Sequence, residues 1–449
     1  MPRFVLLNLR TSGLKSLEHE IELQFYNKNI DNLSFDKSLI KAIYGTNGEG
    51  KTAIAYTLEL YKNSIISGDY LAAQSFGGSL KQLINQHTNQ VVVDLYFALL
   101  FSFGYKKIYH HVIKYELKDD RIFVSYEKIC ECKGTTWGSE SSEITLLETS
   151  NGEIINLYKK AKFKDEIISK SANLITNSSA VFPIFVNTFA LFNNNENVGL
   201  ESEEKVHSAI RNIILFALTM NVFIDKEDQQ YVSTERLKST VGNSTDTINF
   251  IPSYLLRIND GEDEVDADAT GIYEKEIKKI EKLLKVFKTN LDYIDIKYGN
   301  LRGNKVSCKK TFVYKNGDRV DLEYESTGIK KMVRLFGALN SIDNGGLVFI
   351  DEFDANIHDV YLCKLIEYFS EFTNGQVVFT THNLGPMEVL DKKDLKHSID
   401  FINKQTVSSW KRNGNYSVVK VYRNGMIPNS PFNINSVDFV KVFGGDNNE

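Results

Sequence analysis

Proline, cysteine and long apolar runs are all scarce in this sequence. Six prolines in 449 residues argue against long extended linkers. The longest apolar run, near residues 96 to 103, is far shorter than the roughly 20 residues that a membrane-spanning helix needs. The formal net charge of −5 does not indicate a strongly basic nucleic-acid-binding protein. Contact with DNA or RNA would therefore require a local basic patch. We therefore expect a globular protein with no membrane partner.

The four cysteines are Cys130, Cys132, Cys308 and Cys363. Cys130-x-Cys132 has no second pair at metal-ligand spacing, so a zinc site is not predicted. Reduced thiols are typical of cytosolic proteins. Residues 4–7 are predicted to form a first strand rather than part of a secretory leader. These features predict a cytoplasmic protein.

The most informative stretch is Gly45, Thr46, Asn47, Gly48, Glu49, Gly50, Lys51 and Thr52. The pattern Gly-x-x-x-x-Gly-Lys-Thr, between an apolar strand and a helix, predicts a phosphate-binding loop. Its glycines let successive backbone N–H groups point at a triphosphate, and the positive end of the following helix faces the same anion. We expect Lys51 to reach the β- and γ-phosphates of ATP and the Thr52 hydroxyl to hold Mg²⁺.

The first part of the chain is predicted to be the N-terminal half of an α/β domain. A buried strand over 39–44 leads into the loop, and a helix over 51–66 follows it. A β-hairpin lies before these elements, within 3–25, and an antiparallel meander lies after them, over about 91–155. The first predicted domain therefore covers residues 1–160.

The rest of the chain is divided between a mainly helical insertion and a second α/β part. Amphipathic helices are predicted over 205–220 and 273–287, inside an insertion that covers 161–300. An Asn316-Gly317 turn between two strand patterns predicts a hairpin. The second α/β part covers 301–449.

Three segments carry weaker signals. The acidic stretch 259–268 does not follow the residue order of a calcium-binding loop and is predicted to be a solvated loop. Residues 418–426 are predicted to form a hairpin. Five lysines on or just after the 273–287 helix could form a basic patch, although a solvated helix face is the preferred interpretation: Lys278, Lys279, Lys282, Lys285 and Lys288.

Two apolar runs end in polar residues that could act on a bound triphosphate. The run 346–350 ends in Asp351 and Glu352, and the run 376–381 ends in His382. Parallel strands bring their carboxyl ends to one edge of a sheet, where α/β proteins bind ligands. We expect Asp351 to hold Mg²⁺, Glu352 to polarise the attacking water, and His382 to touch the γ-phosphate. Taken singly, each pattern also fits an ordinary buried strand.

Ser326 and Gly328 stand at the start of another amphipathic helix. Ser326 is a good N-cap residue, and Gly328 keeps the backbone open for close approach. The sequence leaves two interpretations open, a simple capped helix or an anion-binding helix terminus.

Taken in order, these motifs resemble the head of ATP-binding-cassette ATPases. Ser326-Thr327-Gly328 is similar to the shortened signature of the SMC/RecF-like branch, and Asp354 and His358 lie in a segment similar to the one that follows its paired acids. The resemblance extends to single-chain ATPases of bacterial antiphage systems of the Septu, PARIS and AbiL type. It covers about 1–160 and 301–449, and it implies an α/β head with a mixed sheet and an antiparallel β-subdomain.

The resemblance implies a composite site between two copies of the chain. ATP on the Lys51 loop of one copy would be covered by Ser326 and Gly328 of the other, in a homodimer or higher homo-oligomer. Asp354 and His358 would contact the partner copy. The implied catalytic residues are Lys51, Glu352 and His382, and the implied metal ligands are Thr52 and Asp351.

The resemblance also implies an ATP-hydrolysing sensor or regulatory subunit of an antiphage system. A separate effector such as a nuclease is expected, because the sequence contains no second catalytic constellation. Two alternatives stay open, a DNA repair ATPase that clamps DNA and a nucleotide-gated scaffold with little turnover. The glutamine loop of the family is not assigned, and its candidates are Gln74, Gln82, Gln86 and Gln90.

Overall fold

The computed structural model describes residues 3–26, 39–77, 80–100, 106–134, 136–161, 164–171, 177–193, 205–224, 258–259, 261–372, 374–403, 405–410 and 417–427. The 225–257 part of the predicted insertion lies outside the described residues. Among the described residues, no helix is both long and apolar enough to cross a membrane.

The strands form three sheets, and their bounds in chain order are β1 Arg3–Ser12, β2 Ile21–Gln24, β3 Ile40–Tyr44, β4 Gln90–Leu100, β5 Lys106–Lys118, β6 Arg121–Cys132, β7 Glu143–Ser150, β8 Glu153–Leu157, β9 Met220–Phe223, β10 Asp263–Asp266, β11 Leu291–Arg302, β12 Lys305–Tyr314, β13 Arg319–Asp321, β14 Leu347–Ile350, β15 Gln376–Thr380, β16 Ile399–Asn403 and β17 Thr406–Ser409.

The helices of the described residues are α1 Lys51–Ile66, α2 Tyr70–Gly77, α3 Leu80–Leu83, α4 Lys164–Ser171, α5 Val181–Asn193, α6 Lys205–Thr219, α7 Thr270–Phe287, α8 Thr327–Asp343, α9 Asp359–Phe372, α10 Leu384–Lys392 and α11 Val418–Arg423.

The central sheet has six strands in the order β17-β16-β3-β15-β14-β9. Its neighbours are parallel except for β16 and β17, which form an antiparallel pair. Parallel strands of this kind are covered on both faces, which explains why β3, β14 and β15 are mostly apolar and are buried along their whole length. Their carboxyl ends meet at one edge, so residues that follow them in the chain come together there.

Two further sheets flank this one. A seven-stranded antiparallel sheet has the order β2-β1-β4-β5-β6-β7-β8, and a small sheet joins β10, β12 and β11, with β13 paired to β12. The predicted α/β fold class, with a mixed sheet and an antiparallel β-subdomain, is confirmed.

The central sheet separates two hydrophobic cores. Because side chains alternate across a strand, Ile43 and Phe349 enter the core shared with the seven-stranded sheet and α1. Their neighbours Ala42, Val348 and Ile350 enter the core shared with α7, α8 and the small sheet. Each core therefore rests on one face of the strands that end at the phosphate-binding loop and the paired acids.

The segment predicted as an insertion contributes to this central arrangement. Helices α5 and α6 pack on α1, and α6 leads directly into β9, which pairs in parallel with β14. The backbone N–H of Asp351 donates to the carbonyl of Phe223 on β9 at 2.9 Å. The boundaries at 160 and 300 stay a prediction.

Two local predictions were wrong. Residues 418–423 form helix α11 instead of a hairpin strand, because Val418, Val419 and Tyr422 share one helical face and are buried together. The acidic stretch contains strand β10, and Asp263 within it is buried instead of solvated. Its carboxylate accepts hydrogen bonds from Lys310 at 2.5 Å and from the Tyr273 hydroxyl at 2.7 Å.

Candidate functional site

The phosphate-binding loop connects β3 to α1, and its glycines are required for different reasons. Gly48 and Gly50 have φ angles of +87° and +101°, in the left-handed region that glycine adopts without strain. A Cβ on Gly50 would lie 2.3 Å from Cδ2 of Leu17, whereas a Cβ on Gly48 would meet no atom within 4 Å. A Cβ on Gly45 would lie 2.8 Å from the carbonyl oxygen of Ile402. The loop is therefore packed at both ends and open in its middle.

Lys51 is buried beneath this loop. Its Nζ donates to the carbonyl oxygens of Gly45 at 2.6 Å and Thr46 at 2.9 Å. Burial lowers the pKa of Lys51, and nearby carboxylates oppose that shift, Asp351 most strongly and Glu352 next. The lysine therefore lies within electrostatic reach of the paired acids.

Asp351 and Glu352 follow β14 and share one hydroxyl. The Thr380 Oγ1 at the end of β15 donates to Oδ1 of Asp351 at 2.6 Å and accepts the backbone N–H of Glu352 at 2.8 Å. Asp351 is buried, while the Glu352 side chain is exposed. Glu352 has a φ of +46°, a left-handed conformation that few residues other than glycine adopt.

His382 follows β15 at the same edge of the sheet. Its backbone N–H points at both carboxylate oxygens of Asp354, at 3.4 Å each. Burial and the positive charge of Lys51 lower the pKa of His382, while Asp354 and Glu352 oppose that shift. The histidine thus belongs to the same electrostatic neighbourhood as the lysine and the acids, and Asp354 faces the site of its own chain.

The oxygen ligands expected for Mg²⁺ are available in this neighbourhood. Thr52 is the second residue of α1 and half-buried, and Asp351 follows β14. A hydroxyl and a carboxylate are the hard oxygen donors that Mg²⁺ prefers. The open middle of the glycine loop and the buried cation of Lys51 likewise fit a bound phosphate chain.

Ser326 and Gly328 stand at the start of α8. Ser326 is the N-cap residue, as predicted, but its hydroxyl makes no capping hydrogen bond, and its side chain is exposed. Gly328 lies against the segment that follows Glu352, since a Cβ there would be 2.6 Å from the carbonyl oxygen of Asn356. The predicted signature therefore contacts Asn356 of its own chain.

Sequence reasoning missed two side chains that hold Glu352. One is Thr380, which lies within a segment that was chosen for its histidine. The other is Lys331 of α8, which is fully buried and donates from Nζ to the Glu352 carbonyl oxygen at 2.7 Å. A lysine on the buried stripe of an amphipathic helix is the signal that could have found it, because lysine is almost never buried without a partner.

Two glutamine-loop candidates have structural roles. Gln74 is buried and accepts the backbone N–H of Leu80 at 3.0 Å. Gln90 donates to Glu116 across neighbouring strands at 2.9 Å. The glutamine-loop residue stays unassigned.

A second polar cluster lies on the antiparallel sheet. Ligand atoms of His110, Cys130 and Glu143 lie within 4.8 Å of one another. The two ring nitrogens of His110 face Glu143 at 3.0 Å and Asp94 at 2.9 Å, so hydrogen bonds account for the arrangement. We assign no ion to it.

Comparison with solved structures finds distant likeness to ATPase heads. The Smc head domain of Pyrococcus furiosus, with an extended coiled coil and bound to the C-terminal domain of ScpA, is 14% identical, with 92% of this chain and 97% of that chain covered and a TM-score of 0.40. The recombination mediator RecF of the RecFOR pathway, in its ATPrS form, is 12% identical, with 91% and 99% covered and a TM-score of 0.38. The SMC head domain of Thermotoga maritima is 13% identical, with 91% and 99% covered and a TM-score of 0.30.

A family comparison gives the assignment that these structures do not. No curated protein matches the chain. The family model described as "AAA domain, putative AbiEii toxin, Type IV TA system" matches residues 40–388, which span the phosphate-binding loop, the signature, the paired acids and His382. The chain therefore belongs to this family of AAA-domain ATPases.

Proposed function

We propose that the protein binds and hydrolyses ATP with Mg²⁺. The observation that carries this proposal is the convergence of Lys51, the paired acids and His382 at the carboxyl edge of one parallel sheet, beside an open glycine loop. Phosphoryl transfer needs positioning and charge stabilisation more than covalent chemistry from the protein, and this set of groups supplies both.

Each residue has a defined part in this proposal. The backbone N–H groups of residues 45–50 and the Lys51 ammonium bind the phosphate chain. Thr52 and Asp351 hold Mg²⁺, which neutralises charge on the phosphate oxygens when bound. Glu352 orients and polarises the attacking water. His382 donates or accepts a hydrogen bond at the γ-phosphate.

The second half of the site is proposed to come from another copy of the chain. Ser326 is exposed at the start of a 17-residue helix, where the positive dipole end lies and where the first backbone N–H groups have no acceptor within the helix. An anion in that position would be stabilised. The γ-phosphate of ATP held by a second protomer fits this requirement, so we propose that ATP joins two copies face to back.

Glu352→Gln tests hydrolysis and dimerisation together. Because the amide keeps the side chain's size but loses its charge, we expect turnover to fall at least about a hundredfold while ATP still binds. The variant should form an ATP-dependent dimer in size-exclusion chromatography with light scattering. Glu367→Gln, on the exposed face of α9, is the matched control and should behave as wild type. A Glu352→Gln protein that stays monomeric at saturating Mg-ATP would refute the face-to-back dimer. A Glu352→Gln protein with wild-type turnover would refute the role of Glu352.

At the level of biology, we propose a regulatory ATPase of an antiphage system that controls a separate effector. Support comes from the family description, which names a putative toxin and a toxin–antitoxin system. The test expresses the native locus in a phage-sensitive host and measures plating efficiency. Lys51→Ala should abolish protection if ATP controls the effector, and protection by this chain without its neighbouring gene would contradict a separate effector.

The competing DNA-clamping function lacks a specific observation in its favour. Three of the five clustered lysines make ion pairs, with Glu276 at 2.7 Å, Glu281 at 2.6 Å and Glu325 at 2.5 Å. Paired lysines contribute less to a phosphate-binding surface, so a solvated helix face is the better interpretation. Tight binding of duplex DNA that weakens steeply with salt would reverse this preference.

A further inference from the structure

The first turns of α8 rest directly on the segment that follows β14. Oγ1 of Thr327 lies 3.5 Å from Oδ1 of Asn356, and a Cβ on Gly328 would be 2.6 Å from the Asn356 carbonyl oxygen. One turn further along, Lys331 Nζ donates to the Glu352 carbonyl oxygen at 2.7 Å. The helix that carries Ser326 is therefore in contact with both ends of the 352–356 segment.

Lys331 is an unusual residue for this position because its relative exposure is 0%. Removing an ammonium group from water is costly unless strong acceptors replace the water. A shorter apolar side chain would fill a helix–loop contact without that cost. The carbonyl oxygen of Glu352 is one such acceptor, and the hydrogen bond to it ties the buried lysine to the main chain of the predicted catalytic residue.

The main chain of Glu352 is held on both sides. Its N–H donates to the Thr380 hydroxyl at 2.8 Å, and its carbonyl accepts from Lys331. The residue has a φ of +46°, a left-handed conformation that is strained for an ordinary L-residue. Two fixed hydrogen bonds on either side of a strained residue determine the direction in which its side chain leaves the backbone.

We infer that Lys331 is a positioning residue that sets the direction of the Glu352 carboxylate and couples it to the Ser326 end of α8. This inference rests on the proposed function. An α-helix moves nearly as a rigid body over one turn, so a shift of Ser326 and Gly328 on engaging a phosphate would carry Lys331 with it. The Glu352 carbonyl would follow. Engagement of the signature would thus align the water-orienting carboxylate within the same protomer.

The effect of losing this contact is expected on turnover rather than on ATP affinity. Lys331 holds the main chain of Glu352, whereas the groups proposed to bind ATP, Lys51 and Thr52, belong to helix α1, so ATP binding should be preserved. A displacement of about 1 Å in a catalytic group lowers the rate by up to about a hundredfold. We therefore expect Lys331→Met to lower kcat at least about tenfold with KM for ATP within about twofold of wild type.

Lys330→Met is the matched control, because Lys330 lies next to Lys331 and its Nζ points to the Glu323 carbonyl oxygen at 3.3 Å instead. It should retain wild-type kcat. A third protein, Glu352→Gln with Lys331→Met, should still dimerise with ATP, because the phosphate-binding loop and Ser326 are unchanged. A merely structural role of Lys331 would lower the melting temperature, ATP affinity and dimerisation together, and would not split kcat from KM.

The outcomes separate this inference from the proposed function. Wild-type turnover is measured first, and its absence would refute the proposed function itself. If the wild-type protein hydrolyses ATP and a folded Lys331→Met variant has the same kcat, only the inference about Lys331 is refuted. If Lys331→Met does not fold, Lys331→Gln decides, since its polar but shorter side chain cannot reach the same carbonyl. A folded Lys331→Gln with reduced kcat and unchanged KM supports the inference, and loss of folding in both variants would assign Lys331 a structural role and overturn it.

Discussion

A single hydroxyl links the two acids of the candidate site. Thr380 donates to Asp351 and accepts from the backbone of Glu352, and its side chain is completely buried. Threonine suits this position because one hydroxyl both donates and accepts, while its methyl group packs in the strand. The relative position of Asp351, which is proposed to hold Mg²⁺, and Glu352, which is proposed to orient water, is therefore set by a third residue on the neighbouring strand.

Replacing Thr380 with the similarly shaped valine should disturb this arrangement without creating a cavity. We expect Thr380→Val to lower kcat about tenfold or more and the free energy of unfolding by about 1–3 kcal/mol, because the Glu352 N–H loses its acceptor. Steady-state ATPase kinetics and chemical denaturation measure the two effects. Thr381→Val is the control, since that hydroxyl accepts the backbone N–H of Asn383 instead. Equal turnover of the two variants would show that the Thr380 hydroxyl is dispensable.

At the scale of elements, α6 connects the flanking helices to the central sheet. It packs on α1 and continues into β9, which receives the Asp351 N–H. Near its start, burial and the nearby Arg211 lower the pKa of His207 from its ordinary 6.5 to about 4. At a pH between these two pKa values, His207 binds a proton in the unfolded chain but not in the folded chain. Folding therefore becomes less favourable as the pH falls.

This linkage predicts an acid-sensitive helix. The free energy of unfolding should decrease by up to about 1.4 kcal/mol for each pH unit as the pH falls from 6.5 to 4, and His207→Gln should remove that part of the slope. Denaturation midpoints measured across this pH range test the prediction. The exposed His87→Gln protein should keep the wild-type slope. An unchanged slope in His207→Gln would show that other groups cause the acid sensitivity.

At the scale of the whole molecule, one side chain joins the central sheet to the antiparallel sheet. Gln376 is buried at the start of β15, and its amide makes two hydrogen bonds with the backbone of Leu6 on β1. It accepts the Leu6 N–H at 2.9 Å and donates to the Leu6 carbonyl at 3.0 Å. Leu6 lies before the β1 residues that pair with β2, so the amide substitutes for a neighbouring strand.

Gln376→Leu should therefore destabilise the junction between the sheets. Both backbone groups of Leu6 would be left buried without these partners, and we expect a loss of about 2–5 kcal/mol in the free energy of unfolding. Urea denaturation measures the loss. The exposed Gln24→Leu, which removes a hydrogen bond to the Tyr26 carbonyl, should cost less than about 1 kcal/mol. Similar midpoints for the two variants would contradict the proposed importance of this junction.

Local patterns predicted much of the fold and failed where a short segment fits two structures. The helix predicted over 51–66 is observed with those bounds, because a glycine-rich loop starts it and a long apolar stripe sustains it. The segment 418–426 was predicted wrongly, because six helical residues are too few to establish a period. The helical conformation of this segment is stabilised by the Tyr422 ring. The ring packs against Phe401, with centroids 5.6 Å apart, and against Tyr44, with centroids 5.9 Å apart.

The sequence by itself determined the glycine-rich loop between β3 and α1, the order of the motifs and the strands that end at Asp351 and His382. These features depend on residues adjacent in the chain, whose backbone geometry is set locally. Only the tertiary structure decided that β9 supports Asp351, and that Thr380 and Lys331 hold Glu352. Those side chains lie 28 and 21 residues from their partner in the chain, and their role arises from the packing of strands and helices that no local pattern specifies.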